Sequence, residues 1–180
     1  GYETQYKKRF KWLHSSLFLK ELEKDLRNDI KSLIKVLATC GDWDAGKDTK
    51  IDALYNLIAR QHPSEKILVF SQFADTVRYL ETELKKRGIT KIEGVTGDTD
   101  DPTEIAWQFC PESNEKRELI KPEDELRVLI ATDVLSEGQN LQDCSLIVNY
   151  DLPWAIIRLI QRAGRVDRIG QKAENLFCYS

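Results

Sequence analysis

The sequence predicts an α/β fold: a parallel β-sheet with helices on both faces, preceded by an N-terminal helical segment. Three observations predict it. Ile67-Leu68-Val69-Phe70 and Val128-Leu129-Ile130-Ala131 are short, wholly apolar runs, the pattern of strands buried on both faces. Amphipathic stretches of helix length alternate with such runs, as they do where helices cover a parallel sheet. Ahead of them, Tyr2 to Leu37 contains no glycine or proline and repeats leucine and isoleucine at helical intervals.

The elements follow in order. The first helix is expected over Tyr2 to Leu37, with Leu13, Leu17, Leu22, Leu26, Ile30, Leu33, Ile34 and Leu37 on its apolar side. Cys40 to Asp44, with Gly46, reads as a break. A second helix runs from Lys50 to Arg60 and ends before His62-Pro63. After the strand at Ile67–Phe70, Phe73 to Arg87 reads as a helix with Val77, Leu80 and Leu84 on one side and Gly88 as its stop. Ile92 to Val95 is a short strand. Residues 98–126 are polar and irregular, with a short helix near Thr103 to Phe109. The strand at Val128–Ala131 is followed by another at Leu146 to Val148. Pro153 stands where a helix would start, over Trp154 to about Gly164, and Leu176 to Tyr179 is the last strand. The expected division is a helical brace or linker over residues 1–49 and an α/β lobe over 50–180.

Composition narrows the function. The formal net charge is −3, so bulk charge gives no support for nucleic-acid binding, and any such contact must be local. No apolar run approaches the ~20 residues that span a bilayer, and the first residues carry no leader-like stretch, so the expected location is cytoplasmic. The sequence has no methionine, even at position 1, which gives the expectation that it begins inside a longer polypeptide. Cys40, Cys110, Cys144 and Cys178 form no CxxC pair and read as reduced thiols packed as small apolar residues.

Gly41-Asp42-Trp43-Asp44-Ala45-Gly46-Lys47-Asp48 nearly fits the phosphate-loop pattern GxxxxGK[ST]. Asp48 stands where a hydroxyl should ligate magnesium, its carboxylate would repel phosphate, and a charged helix precedes the stretch where a buried strand is required. We read it as a chance match in a loop.

Two segments carry chemistry. In Ile130-Ala131-Thr132-Asp133-Val134-Leu135-Ser136-Glu137-Gly138-Gln139-Asn140-Leu141-Gln142, a strand runs into a polar turn, and the C-terminal ends of strands are where open α/β sheets bind ligands. Thr132 offers a hydroxyl and an amide suited to a phosphate oxygen, Gly138 a close backbone approach, and Asn140 an amide for ribose hydroxyls. On this segment alone, an ordinary strand-to-helix loop with caps reads equally well. In Gln161-Arg162-Ala163-Gly164-Arg165-Val166-Asp167-Arg168-Ile169-Gly170-Gln171, arginine recurs at every third position, and Arg158 extends the line. A solvated basic face is the usual meaning of such charge, but the glycines and glutamines between suit a surface helix poorly. Ile156, Ile157, Ile160 and Val166 are expected to seat one side in the core. A half-buried guanidinium row suits polyphosphate, because each arginine is always charged and bonds as a bidentate fork.

Together these segments closely resemble motifs V and VI of superfamily 2 helicases. The QRxGRxDRxGQ form resembles the Snf2 branch, in particular the bacterial and archaeal members related to the RNA-polymerase-associated recycling ATPase. Ile67-Leu68-Val69-Phe70-Ser71-Gln72-Phe73 resembles motif IV, and Gly97-Asp98-Thr99 sits at the place of the family's Gly-Ser-Thr segment. The resemblance covers about residues 50–180. Two departures stand out: Cys110 to Glu125 is longer and more charged than the usual link, and Asp167 differs from many eukaryotic relatives.

The resemblance implies a RecA-like lobe, the second of two, inactive without the first. ATP with Mg2+ would sit between the lobes, the phosphate loop and magnesium ligands lying on the N-terminal lobe of the same polypeptide. Arg165 and Arg168 would be the arginine fingers, Gln161 and Arg162 would organise the interface, and Gly138 and Asn140 would approach the ribose. Ser71, Gln72, Gly97, Thr99 and Thr132 would grip a nucleic-acid backbone without reading bases. For Snf2 relatives that track is double-stranded DNA, and a protein complex remodelled upon it is a further partner. Two rivals remain: a catalytically inert RecA-like scaffold, and an unrelated α/β enzyme with a metal on Asp98, Asp100 and Asp101, where a solvated turn is the plainer reading.

Overall fold

The structure, a computed structural model, describes residues 13–136 and 139–180, and the chain divides between Gly46 and Lys47 into two compact units. Each unit is described by itself. The first part of the helix expected over Tyr2 to Leu37 lies outside the described residues. Within them, a 3-10 turn at Ser15–Leu17 precedes helix α1, Lys20–Cys40, so the helix starts later and ends later than its apolar spacing suggests. Gly41 stops it with a φ of 68°, a conformation that side-chain-bearing residues avoid. Leu22, Leu26, Ile30, Leu33 and Leu37 line an apolar stripe along α1, and none of its residues is buried. Among the described residues, no helix is long and apolar enough to cross a membrane.

In the second unit, Asp48 opens helix α2, Thr49–Asn56. Its carboxylate accepts from the backbone N–H groups of Lys50 at 3.0 Å and Ile51 at 3.2 Å, and its other oxygen accepts from the Tyr79 hydroxyl at 2.8 Å. The residue that breaks the phosphate-loop likeness is thus a helix cap. The helix runs on through a π-turn at Leu57–Gln61, which accounts for the expected end near Arg60. Then come strand β1 (Ile67–Phe70), helix α3 (Ala74–Lys86), strand β2 (Ile92–Val95) and helix α4 (Pro102–Phe109). Strand β3 (Val128–Ala131), strand β4 (Leu146–Asn149), helix α5 (Ile156–Ala163) and strand β5 (Phe177–Tyr179) complete the unit.

The five strands form one parallel sheet in the order β2-β3-β1-β4-β5. Every residue of β1, β3 and β4 is buried, as their apolar runs require. The pleat divides them between two cores. Ile67, Val69, Val128, Ile130, Leu146 and Val148 pack with Ile51, Leu54 and Ile58 of α2 and its π-turn and with Val77, Leu80 and Leu84 of α3. Leu68, Phe70, Leu129, Ala131 and Ile147 pack on the other face with Ala106 and Phe109 of α4 and with Val166. Helices on both faces of a parallel sheet are what the sequence predicts.

Three local expectations fail. Helix α5 begins at Ile156, not at Pro153 or Trp154, with no side-chain cap, and it ends at Ala163. Ile156, Ile157 and Ile160 are 73%, 57% and 61% exposed rather than seated in the core, while Val166 is fully buried. The helix turns its other side inward, so that Leu159 and Ala163 are half-buried and Arg162 is buried. All four cysteines are free: Cys110 and Cys144 are buried as expected, whereas Cys40 and Cys178 are exposed. Burial pushes the Cys144 thiol up to about 12, which leaves it inert as a nucleophile.

Replacing Asp48 by alanine removes the cap of α2 and the partner of the Tyr79 hydroxyl, and should destabilise the fold by about 1–2 kcal/mol. Urea unfolding of the chain, followed by far-ultraviolet circular dichroism, checks this; an unchanged midpoint would show that the cap contributes nothing.

Candidate functional site

Strand register builds the site. Phe70 pairs with Ala131 and with Asn149, and Val95 pairs with Ala131, so β1, β2, β3 and β4 all end in one row. The ladder runs one step further: Thr132 N–H donates to Val95 O at 3.0 Å, Ser71 N–H to Ala131 O at 3.0 Å, and Tyr150 N–H to Phe70 O at 2.9 Å. Beyond the row lie Gly97, Thr132, Asp133, Ser71, Gln72 and Asp151. Segments far apart in sequence therefore share the edge where parallel sheets carry ligands.

Arg162 lies behind this edge, 1% exposed. Its Nε donates to the Asp133 carboxylate at 2.7 Å, its Nη1 donates to Asn149 Oδ1 at 3.0 Å, and its guanidinium carbon lies 5.0 Å from the centre of the Phe70 ring. One side chain thus touches the ends of β1, β3 and β4. Its Nη2 has no hydrogen-bond partner among the described residues. Arg158, one helical turn earlier, donates to the second Asp133 oxygen at 2.9 Å from a half-exposed position. The arginine row is thereby split. Arg158 and Arg162 share a helix face and a carboxylate, whereas Arg165 and Arg168 lie past the helix end, on turns.

Those turns are fastened to the segment after β3. Leu141 N–H donates to Arg165 O at 3.3 Å. Arg168 donates from Nη1 to Asn140 Oδ1 and from Nε to Gly164 O, both at 3.0 Å, and its side chain is exposed. Gly170, at a φ of 103°, reverses the chain, and Gln171 then donates to Cys144 O at 3.0 Å and Val166 O at 3.1 Å. Asn140 is committed at both ends of its amide, since its Nδ2 donates to Ser113 O at 3.3 Å. Arg165 is half-buried and Gln161 exposed. Gly138 lies outside the described residues.

At the other end of the row the donors face inward. The Ser71 hydroxyl donates to Asp151 at 2.5 Å, and Gln72 N–H donates to the same carboxylate at 2.9 and 3.0 Å. The Gln72 side chain donates to Leu152 O at 3.2 Å. Thr99 accepts from Thr96 N–H at 2.9 Å through its hydroxyl oxygen, closing a turn around Gly97. Gly97 is exposed, and a Cβ there would meet nothing within 4 Å. Burial pushes the Tyr150 phenol up to about 12, helped by the nearby Asp48 and Asp151 carboxylates. Among the described residues, no group of three or more potential ligands could hold a metal ion. Asp98 is paired with Arg78, and Asp101 caps α4.

Sequence reasoning missed Asp133, Asn149 and Asp151 as organisers of this edge. Each falls within two residues of a strand end, which is the signal that could have found them.

Comparison with known proteins agrees with this fold. The family of the helicase conserved C-terminal domain matches residues 49–170. The RNA polymerase-associated protein RapA of Serratia proteamaculans is 36% identical over 129 residues, 69% of this chain and 12% of its own length. The uncharacterized ATP-dependent helicase YqhH of Bacillus subtilis is 34% identical over 110 residues, 61% of this chain and 18% of its own length. The chain therefore spans less than a fifth of either relative. The crystal structure of the C-terminal part of the Fun30 ATPase domain superposes with a TM-score of 0.58, covering 86% of this chain and 48% of that one; at 20% identity it speaks to the fold alone. A DEAD box protein from Methanococcus jannaschii superposes with a TM-score of 0.51 at 26% identity, covering 74% of this chain and 33% of that one.

Arg162→Ala should cost about 3 kcal/mol of stability, since it strips a buried charge from Asp133 and empties the space behind the strand ends. Arg162→Lys should recover little, because an ammonium cannot reproduce the planar fork. A loss in urea unfolding below about 1 kcal/mol for the alanine variant would mean that packing, not this ion pair, holds α5 to the sheet.

Proposed function

Because the chain belongs to the helicase conserved C-terminal domain family, we propose that it is the second RecA-like lobe of a Snf2-type, nucleic-acid-stimulated ATPase. ATP binds between this lobe and an N-terminal lobe of the same polypeptide, and Mg2+ is held by that other lobe. Residues 50–180 form the working lobe, and residues 1–49 a helical brace. The observation that most supports the reading is the turn after α5. It presents Arg165 and Arg168 beside Asn140, fixed by the backbone bond from Leu141 to Arg165 and the side-chain bond from Arg168 to Asn140.

The chemistry follows from charge. As the γ-phosphate leaves, negative charge spreads over its equatorial oxygens and the bridging oxygen. Arg165 and Arg168, permanently charged and able to bond in a fork, neutralise it when the lobes close. Arg162 is not a finger; it sets the depth of the helix that carries them. Gln161, on the exposed side, faces the partner lobe. Gly138 and Asn140 approach the ribose, while Asn140 keeps its bond to Arg168.

The grip on nucleic acid falls to the strand-end row. Gly97, Thr99 and Thr132 offer amides and hydroxyls to backbone phosphates, which accounts for binding by a lobe without a basic surplus. Ser71 and Gln72, tied to Asp151, contribute at the same edge by holding its shape. Closure on ATP and reopening after hydrolysis move this row along double-stranded DNA, and a protein complex on that DNA is what such movement would displace.

In the two-lobed protein, double-stranded DNA should stimulate ATP hydrolysis. Arg165→Ala should lower turnover about 10³-fold while a fluorescent ATP analogue still binds. Normal turnover in that variant would remove the finger assignment and favour the rival reading, a lobe kept as an inert scaffold.

A further inference from the structure

The segment from Cys110 to Glu125 has no place in the function described so far, yet it is bonded to both halves of the candidate site. Asp143, just past Asn140, accepts from the backbone N–H groups of Glu112 at 2.8 Å and Ser113 at 2.9 Å, and also from the Ser113 hydroxyl. Asn114 donates from Nδ2 to its own turn at Cys110 O and across to Asn140 O, both at 2.7 Å. In return Asn140 Nδ2 donates to Ser113 O at 3.3 Å. At the far end of the arginine segment, Lys172 pairs with Glu112 at 2.6 Å. The segment holds its own shape: Arg117 bonds Glu125 at 2.6 Å, Lys66 pairs with the same carboxylate at 2.5 Å, and the Lys116 ammonium lies 4.4 Å from the centre of the Trp107 ring.

The consequence falls on one amide group. Arg168 Nη1 donates to Asn140 Oδ1 at 3.0 Å. That bond exists only while the oxygen, not the NH2, faces the guanidinium. A flipped amide would set donor against donor. The Ser113 carbonyl fixes the orientation by accepting from Nδ2, and Asn114 fixes the backbone beneath it. We infer that the 110–125 segment is a positioning element for the Arg168 finger, with Asn114 and Asp143 as positioning residues that act through Asn140. This rests on the reading of Arg168 as a finger. The long, charged link between α4 and β3 thereby keeps a flexible arginine, standing past the end of its helix, near the place where it is needed.

The test is a double-mutant cycle in the two-lobed protein, with ATP hydrolysis measured at saturating double-stranded DNA. Asn114→Ala should lower kcat about 10–100-fold, the scale of a small misplacement of a reacting group, with affinity for a fluorescent ATP analogue changed less than about twofold. Asn114→Gln, which keeps the amide, should recover part of the loss. Added to Arg168→Ala, Asn114→Ala should cost nothing further, because residues that act as a unit are not additive. A full additional loss in the double variant would overturn the inference, as would normal turnover in Asn114→Ala beside a defective Arg168→Ala. Normal turnover in Arg168→Ala itself would overturn the finger reading, and the inference with it. Should Asn114→Ala fail to fold, Asp143→Asn, which keeps one accepting oxygen, enters the same cycle with the same expectations.

Discussion

A single buried guanidinium decides where the arginine segment can go. Arg162 is held by a carboxylate that follows β3, an amide that ends β4 and the face of a ring that ends β1. A buried charge is tolerated only where such partners wait for it, so α5 has one acceptable depth and rotation. Everything after it inherits that choice: the helix stops at Ala163, the chain turns, and Arg165 and Arg168 emerge beside Asn140. The helix carries charge inward and isoleucine outward, a reversal that makes sense only once the three strand ends stand behind it.

Those strand ends are in turn a product of register. In a parallel sheet whose central strands β1 and β3 are apolar throughout, slippage by one residue would exchange the two cores. Leu68 and Phe70 face one set of helices, and Ile67 and Val69 the other. Because that alternation is fixed, the first polar residue after each strand appears at the same height, and an edge rich in amides, hydroxyls and carboxylates forms without any further instruction.

Much of this is legible in the sequence, for physical reasons that differ by element. The apolar runs at Ile67–Phe70 and Val128–Ala131 are legible because they are short, rich in β-branched residues and set between polar stretches, which favours a strand covered on both faces over a buried helix. The arginine spacing in 161–171 is legible as chemistry but not as geometry. Charge argues for surface and isoleucine for core, and α5 obeys neither, because its partners come from distant strands as well as from its own neighbours. Asp48 shows the same limit on a smaller scale. Its identity rules out a phosphate loop, yet its place as a helix cap shared with Tyr79 depends on a helix that folds well after it in the chain. The polar stretch over 110–125 is the least legible, since a segment held by side-chain-to-backbone bonds has no periodicity to betray it.

The outward isoleucines of α5 have a cost in solution. Trp154, Ile156, Ile157 and Ile160 stand exposed on one short stretch, with Leu152 close by in sequence. Apolar patches of this kind are adhesive. Together with the unburied apolar stripe of α1, this stretch should make the chain alone self-associate more as concentration and salting-out anions rise, since such anions strengthen apolar burial. Storage in low sulfate and at low protein concentration suits it better than the conditions that suit an evenly polar domain.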